Sequence, residues 1–427
     1  MKKYTLFEWE HLRDVCTPSE YEIRKFRKSI GLSREPLAFS ISAVRATSYV
    51  GIAQIGNVRF EVLPKLYEFE ETNDEIIKKA RRNLFKLLSI AGLVPIKSSA
   101  LTRYSDTNDL YEFLVSLFLD DLETVFSGHV HSEYVPIEAD LKTVRGKLNI
   151  QRESLKPPNM RHIFYCSYDE FSIDNPLNII IKTTLRKLAE TCIAEDNRKR
   201  SRDFCSLLEE VRDEAVTNQT FERVRISRLS MHYKNIINTC YLFLFGNCYS
   251  MEPDNWSFHA ILFDMNLVFE RYVAKLIRGA IPQYGIELQK EIFLSSSGGG
   301  LQRDSFGVKP DIIIYKEGRK SAILDSKYKL DAEKGMIGPG DMYQMIAYGV
   351  AAEVDNVVLI YPKSALNDQR LDCLSHTVVL NKVMLDNEVR RRVRVSAFAL
   401  DMFDNGRVRG SMSVADQTQL FALIDQN

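Results

Sequence analysis

KPDIIIYKEGRKSAILDSKYKL, at residues 309–330, is the most informative segment of the chain. Its two apolar runs, DIIIY and SAILD, flank the turn sequence EGR, a pattern typical of an antiparallel β-hairpin. With that turn, Lys316 faces Lys320, and counting outward along the ladder places Asp311 opposite Asp325. The hairpin therefore predicts that two carboxylates meet at its open end.

The chemistry of this open end depends on three side chains. Opposed residues of such a ladder lie about 4.5 to 5.5 Å apart, and side chains alternate, so Lys327 shares the face of Asp325. Two converging carboxylates suit a hard cation such as Mg²⁺, and a lysine beside them could orient a water for phosphodiester hydrolysis. The same residues also fit a plain turn with an exposed ion pair. A register slip of one residue would turn Asp311 to the other face.

Polar residues on the neighbouring helices extend this cluster. Gln344 and Tyr348 are four positions apart in DMYQMIAYG, so they lie on one face of a helix that follows the hairpin. Before the hairpin, Glu270 stands in an otherwise apolar helical pattern, MNLVFERYV. This side chain either turns inward as a third carboxylate or faces solvent.

The segments before the hairpin predict two further regions. Alternating runs between residues 37 and 66 indicate a small β-rich unit. The middle of the chain is mainly helical, with a capping box at Thr72-x-x-Glu75 and an N-cap at Asn175 before Pro176. Its other predicted helices span residues 109–126, 203–217 and 233–245.

A polar stretch near residue 250 separates this region from the last one, in which a helix, a hairpin, a helix and a strand form a compact α/β unit. The predicted fold is thus multidomain, α/β and α+β. Its domains are a β-rich unit at residues 1–70, a helical region at residues 71–250 and an α/β domain at residues 251–427.

Composition limits the class of protein. The 427 residues carry 57 Lys plus Arg and 57 Asp plus Glu, and 45% of them are apolar, which is typical of a globular protein. A net charge of zero does not favour autonomous, non-specific DNA binding, so any DNA contact must be local or assisted by a partner. Seven cysteines without a CxxC pair indicate reduced thiols in a cytoplasmic protein. We expect neither a signal peptide nor a membrane span.

Other motifs carry less information. The sequence contains no GxxxxGK[ST], GxSxG, HExxH or GxGxxG pattern, so nucleotide-motor, α/β-hydrolase, zincin and Rossmann functions lack support. His129 and His131 could place two imidazoles on one strand face, but no Cys or third His is near in sequence, which favours a structural role. The basic clusters at residues 198–200 and 390–392 are short and flanked by acids, as on solvated faces.

Taken together, three motifs resemble those of the PD-(D/E)XK nuclease superfamily, in its RecB-like branch. They are Pro310-Asp311, Asp325-Ser326-Lys327 and Gln344-x-x-x-Tyr348. Beyond them, the chain resembles the McrC family, the nuclease subunits of McrBC-type modification-dependent restriction systems. This resemblance covers roughly residues 40–365 and includes YVGIAQIGNVRFEVLPKL, NLFKLLSIAGLVPIKSS, RHIFYCSYDEFSIDNPLNIIIKTTLRKL, ILDSKYK and DMYQMIAYG.

The resemblance implies a nuclease core, a mixed β-sheet flanked by helices, and a role for each motif residue. Asp311 and Asp325 would bind Mg²⁺, with Mn²⁺ as an alternative, and the Ser326 carbonyl would be a further ligand. Lys327 would position the attacking water. Two helical residues would complete the site, namely Glu270 as the helix acid near the metal and Gln344 as a supporting side chain.

The resemblance also implies partners. Members of the family act with a McrB-like AAA+ GTPase hexamer that reads methylated DNA, while McrC stimulates the GTPase and cuts double-stranded DNA. The N-terminal region would dock on that ring. Two other functions stay open at this point: a non-catalytic adaptor of an AAA+ ring, and a nuclease of another defence or repair system.

Overall fold

The computed structural model describes residues 2–30, 35–65, 73–94, 109–160, 162–228, 230–245, 258–295, 305–328, 338–363, 374–384 and 387–425. The strands are β1 (Lys2–Phe7), β2 (His11–Arg13), β3 (Leu37–Phe39), β4 (Ala43–Ala46), β5 (Tyr49–Ile55), β6 (Val58–Leu63), β7 (Glu133–Leu141), β8 (Lys147–Leu148), β9 (Phe164–Ser172), β10 (Phe258–Asp264), β11 (Gly285–Leu288), β12 (Ile292–Ser295), β13 (Ser305–Val308), β14 (Ile312–Lys316), β15 (Arg319–Ser326), β16 (Asn356–Pro362), β17 (Leu374–Met384), β18 (Asn387–Leu400), β19 (Phe403–Asp404) and β20 (Arg407–Val408). The α-helices are α1 (Glu20–Ile30), α2 (Asp74–Ile90), α3 (Leu110–Phe126), α4 (Ile150–Ser154), α5 (Pro176–Thr191), α6 (Glu195–Ser206), α7 (Asn218–Arg223), α8 (Lys234–Phe245), α9 (Met265–Ala280), α10 (Pro339–Ala352) and α11 (Val414–Ile424), and 3-10 turns lie at Pro158–Met160 and Met231–Tyr233. None of the helices in these ranges is long and apolar enough to cross a bilayer.

The N-terminal strands form a sheet in the order β1-β6-β5-β10. Strands β5 and β6 form a hairpin within the predicted β-rich unit, and Gly56 supplies the positive φ that its turn requires. Strand β10 comes from beyond the boundary predicted near residue 250, and it pairs antiparallel with β5 from Tyr49 to Ile55. At Gly51 the two strands approach so closely that a Cβ atom would overlap the carbonyl oxygen of Ile261. The predicted domain boundaries stay a prediction, and this sheet crosses one of them.

The middle of the chain is mainly helical, as predicted, with three antiparallel strands in the order β7-β9-β8. Helix α5 has Asn175 as its N-cap with Pro176 in the first turn, as expected. The helix predicted at residues 109–126 is present as α3, and Asp109 is its N-cap. The predicted capping box is wrong in its position, because helix α2 begins after Asn73, whose side chain accepts a hydrogen bond from the Ile76 amide.

The helix predicted at residues 203–217 is also misplaced. Helix α6 ends at Ser206, and turns and irregular backbone follow before α7 begins at Asn218. The N-terminal half of α6 makes long-range contacts that the sequence pattern does not show. Ser201 is fully buried, and Asn197 donates to the side chain and the carbonyl oxygen of Glu112. The clustered basic residue Arg200 is partly buried and pairs with Asp120 of α3, so this position is not fully solvated as the sequence predicted.

The C-terminal sheet is mixed and has the order β11-β14-β15-β16-β18-β17. Strands β15, β16 and β18 run parallel, whereas β14 pairs antiparallel with both β11 and β15. Apolar side chains cover both faces: Ile313 and Ile323 join the cluster that includes Met345 of α10, and Ile312 and Leu324 join the main core. Burial on both faces explains the nearly continuous apolar runs of these strands. A mixed sheet flanked by helices is therefore present, as predicted.

The register of the central hairpin agrees with the prediction at its base and differs near its turn. Ile312 faces Leu324, and this pairing points Asp311 toward Asp325. Close to the turn, Lys316 faces Arg319 rather than Lys320, because the register shifts by one residue after Ile314. The predicted Lys316–Lys320 pair is therefore wrong. A bulge at this point absorbs the shift without disturbing the aspartates.

Candidate metal and catalytic site

The two aspartates of the hairpin lie at its open end, on neighbouring chain segments. Asp311 directly precedes β14, and its Oδ2 accepts hydrogen bonds from the amide (2.8 Å) and the hydroxyl (2.7 Å) of Ser326. Ser326 is the last residue of β15 and follows Asp325. One carboxylate is thereby fixed to the strand that carries the other.

Asp325 is the most deeply buried member of the cluster, with 2% of its surface exposed. Burial and then the negative charge of Asp311 raise its pKa to about 6. Lys327 Nζ lies 2.8 Å from its Oδ2 as an ion-pair partner. That buried oxygen accepts no hydrogen bond of good geometry from the described residues. A carboxylate oxygen in this state is suited to hold an additional cation.

Glu270 of α9 belongs to the same electrostatic cluster. Burial, followed by the charges of Asp311 and Asp325, raises its pKa, and its side chain is partly buried. Gln289, which the sequence did not reveal, holds this group in place. Its side-chain amide donates to Glu270 Oε1, and its backbone amide donates to the Asp311 carbonyl at 2.9 Å. Gln289 has a φ of 51°, which a glutamine seldom adopts.

Helix α10 carries further polar residues near the two aspartates. Gln344 and Tyr348 share a face, as predicted, and the Gln344 amide donates to the Tyr348 hydroxyl at 2.6 Å. That hydroxyl reaches the Lys309 carbonyl at 3.2 Å, close to Asp311, and burial raises its pKa to about 12. Asp341 lies one turn before Gln344, and its charge contributes to the raised pKa of Asp325. Asp341 is three positions before Gln344 and so lies on the same predicted helical face, which is the signal by which the sequence could have identified it.

The donor set fits a hard divalent cation that takes two carboxylates and completes its shell with water and phosphate oxygens. Asp311 and Asp325 would supply the carboxylates, with the Ser326 carbonyl nearby. In the ranges that the structure covers, no group of three or more His, Cys, Asp or Glu side chains is arranged to hold a metal. Glu270, engaged by Gln289, is therefore not part of a formed three-carboxylate site.

One member of the histidine pair, His131, has its contacts within the middle region of the chain. His131 packs against the ring of Tyr233 at 5.3 Å between centroids, and its Nε2 lies 3.9 Å from Glu133. Burial lowers its pKa. These contacts favour the structural role expected for His131.

Comparison with known proteins gives two kinds of match. The family model described as "McrBC 5-methylcytosine restriction system component" matches residues 44–362. A chain in the structure of a half-complex from a tetradecameric assembly of Thermococcus gammatolerans McrB AAA+ hexamers with bound McrC is 20% identical, with a TM-score of 0.68 over 99% of this chain and 100% of that chain.

A chain in the cryo-EM structure of the Thermococcus gammatolerans McrBC complex is 21% identical, with a TM-score of 0.53 over 66% of this chain and 88% of that chain. At these identities the two structural matches concern the fold. No curated protein matches the sequence.

Proposed function

This chain belongs to the family of McrBC 5-methylcytosine restriction system components, and from that premise we propose that it is the subunit that cuts DNA in such a system. Its substrate would be double-stranded DNA that contains methylcytosine, and its reaction the Mg²⁺-dependent hydrolysis of a phosphodiester bond. The observation that carries this proposal is the cluster of Asp311, Asp325 and Lys327 at the open end of the central hairpin.

Each residue of the cluster has a task that follows from its surroundings. A bound Mg²⁺ would supply Lewis-acid stabilisation of the charge that develops on the phosphate. Asp311 and Asp325 would hold that cation, and Ser326 orients Asp311 through its two hydrogen bonds. Lys327 is partly exposed, with 23% of its side chain accessible, so its ammonium group can reach both Asp325 and a water that approaches the phosphate.

We also propose a partner, because the cutting subunit alone lacks the features of a DNA-tracking motor. The chain has no phosphate-binding GxxxxGK[ST] loop, and its net charge is zero. The related structure with full coverage is described as McrB AAA+ hexamers with bound McrC. By analogy, this chain would dock through its N-terminal sheet on an AAA+ GTPase hexamer, which would deliver DNA and whose hydrolysis it would stimulate.

Cleavage of methylated and unmethylated plasmid by the purified complex tests the proposal. Asp325→Asn and Lys327→Met should each reduce cleavage at least about 100-fold, since metal binding and water orientation are both lost. Lys316→Met is the matched control, because Lys316 also forms an ion pair, with Asp425 at 2.9 Å, at the far end of the same hairpin. Full cleavage by the Asp325→Asn complex would reject the assigned site.

A second candidate function is a regulatory adaptor of an AAA+ ring that keeps the nuclease fold as a scaffold. The observation that favours it is that Lys327 already forms an ion pair with Asp325 at 2.8 Å, a contact that a purely structural role would also explain. An adaptor would stimulate the GTPase of its partner and make no Mg²⁺-dependent cuts. The same plasmid assay, run beside a GTPase assay, separates the two functions.

A further inference from the structure

Tyr328, the residue after Lys327, connects the hairpin to the N-terminal sheet. Its hydroxyl donates to Glu8 Oε2 at 2.7 Å, and both side chains are buried. The two residues are 320 positions apart in the sequence. A hydrogen bond between such distant elements, formed one residue from Lys327, ties the position of the lysine to the N-terminal sheet.

Glu8 is itself firmly held by that sheet. It follows the last residue of β1, its backbone amide donates to the Leu63 carbonyl at 2.9 Å, and its Oε2 also accepts from the Lys65 amide at 3.1 Å. None of its surface is exposed, and its Oε1 accepts no hydrogen bond from the described residues. Burying a carboxyl group is costly unless it is hydrogen-bonded, so the hydrogen bond from Tyr328 stabilises the buried side chain of Glu8.

The ring of Tyr328 makes a second connection to the candidate site. It packs against Phe269 with 5.7 Å between ring centroids, and Phe269 directly precedes Glu270 on α9. Helix α9 in turn follows β10, the edge strand of the N-terminal sheet. The end of β15 and helix α9, which both carry residues of the candidate site, therefore meet at Tyr328.

We propose that the Glu8–Tyr328 contact is a positioning device, which fixes Lys327 relative to the N-terminal sheet and so makes cleavage sensitive to what binds that sheet. This inference rests on the proposed function. Neither residue touches substrate or metal, and both act through Lys327. The backbone of Lys327 is otherwise held by the hydrogen bond from its amide to the Ile360 carbonyl at 2.9 Å, so the Tyr328 hydroxyl is a second fixed point for this end of the strand.

The magnitude follows from the geometry that catalysis demands. Displacing a catalytic group by about 1 Å costs roughly 100-fold in rate. Loss of one hydroxyl leaves the ring of Tyr328 against Phe269, so the displacement should be smaller than that. We expect Tyr328→Phe to lower kcat for cleavage about 10-fold, with KM for DNA and GTPase stimulation within twofold of wild type.

The experiment compares four variants and one control variant in the assembled complex with its AAA+ partner. Glu8→Ala should lower kcat at least as much as Tyr328→Phe, and Glu8→Gln, which keeps an acceptor oxygen, should restore most of the rate. The double variant of Glu8→Ala and Tyr328→Phe should be no slower than the slower single variant, because both break one contact. Tyr284→Phe is the matched control, since it removes a hydroxyl that donates to Asp425 Oδ2 at the same distance of 2.7 Å.

The outcomes separate this inference from the proposed function. If the wild-type complex makes no cuts, both fail. If it cuts and Tyr328→Phe cuts with a kcat within twofold of wild type, the positioning contact alone is rejected. It is also rejected if Tyr328→Phe lowers GTPase stimulation as much as cleavage, because that result would indicate a general structural defect. If Glu8→Ala does not fold, Tyr328→Phe and Glu8→Gln still decide the matter.

Discussion

Replacing Glu8 by glutamine should change how the stability of the protein depends on pH. Burial raises the pKa of Glu8 to about 8 from its ordinary value of 4.5. Between these two pH values the folded chain keeps a proton that the unfolded chain releases. The stability that Glu8 contributes to the folded state is therefore complete below pH 4.5 and is lost as the pH rises to about 8. Each pH unit in this range costs about 1.4 kcal/mol, so the free energy of unfolding should fall by about 5 kcal/mol.

Thermal melts of wild type and Glu8→Gln between pH 5 and pH 9 measure this effect. The difference in Tm between the two proteins should shift in favour of Glu8→Gln as the pH rises, by several degrees, and should level off above pH 8. Glu138→Gln is the control, because Glu138 also accepts a hydrogen bond from a tyrosine, Tyr165 at 2.8 Å, but on an exposed sheet. Melting curves of wild type and Glu8→Gln that move in parallel over the whole range would refute the reasoning.

Three further predictions concern packing, a buried ion pair and the metal. Gly51→Ala should lower the Tm by several degrees in a thermal melt, because the new methyl group would overlap the Ile261 carbonyl and push two strands apart. Arg81→Ala should destabilise the chain by about 3 to 5 kcal/mol in denaturant unfolding, since it leaves Glu61 buried without the bidentate partner it has at 2.5 and 2.7 Å. Removing divalent cations with EDTA should abolish plasmid cleavage and leave assembly with the AAA+ partner intact in size-exclusion chromatography, and added Mg²⁺ should restore cleavage unless Asp325 is replaced.

The parts of the fold that local chemistry determines were predictable from the sequence. The cap at Asn175 satisfies the amide of Asn178, three residues along the chain, so the local pattern alone identifies it. The base of the central hairpin is likewise set by alternation and by a short turn. Its one error, the shift after Ile314, reflects a bulge that alternation cannot specify.

Other features were beyond prediction because they depend on distant contacts. Helix α6 begins earlier than predicted, and its Asn197 forms a hydrogen bond with Glu112 on another helix, a contact that the local pattern does not show. Gln289 joins Glu270 to Asp311, although nothing in its own sequence neighbourhood marks it. The sequence therefore predicted the residue types of the candidate site and their approximate meeting point. It did not predict the side chains that orient them.

Strand β10 has a consequence for how the protein is made. It completes the first sheet by pairing with β5, yet it leaves the ribosome about 200 residues later. Until then the nascent chain carries an open strand edge, which is a template for pairing with other chains. We expect synthesis to depend on chaperones during this interval. Fragments that stop before residue 258 should aggregate, although they contain every strand of the N-terminal sheet except β10.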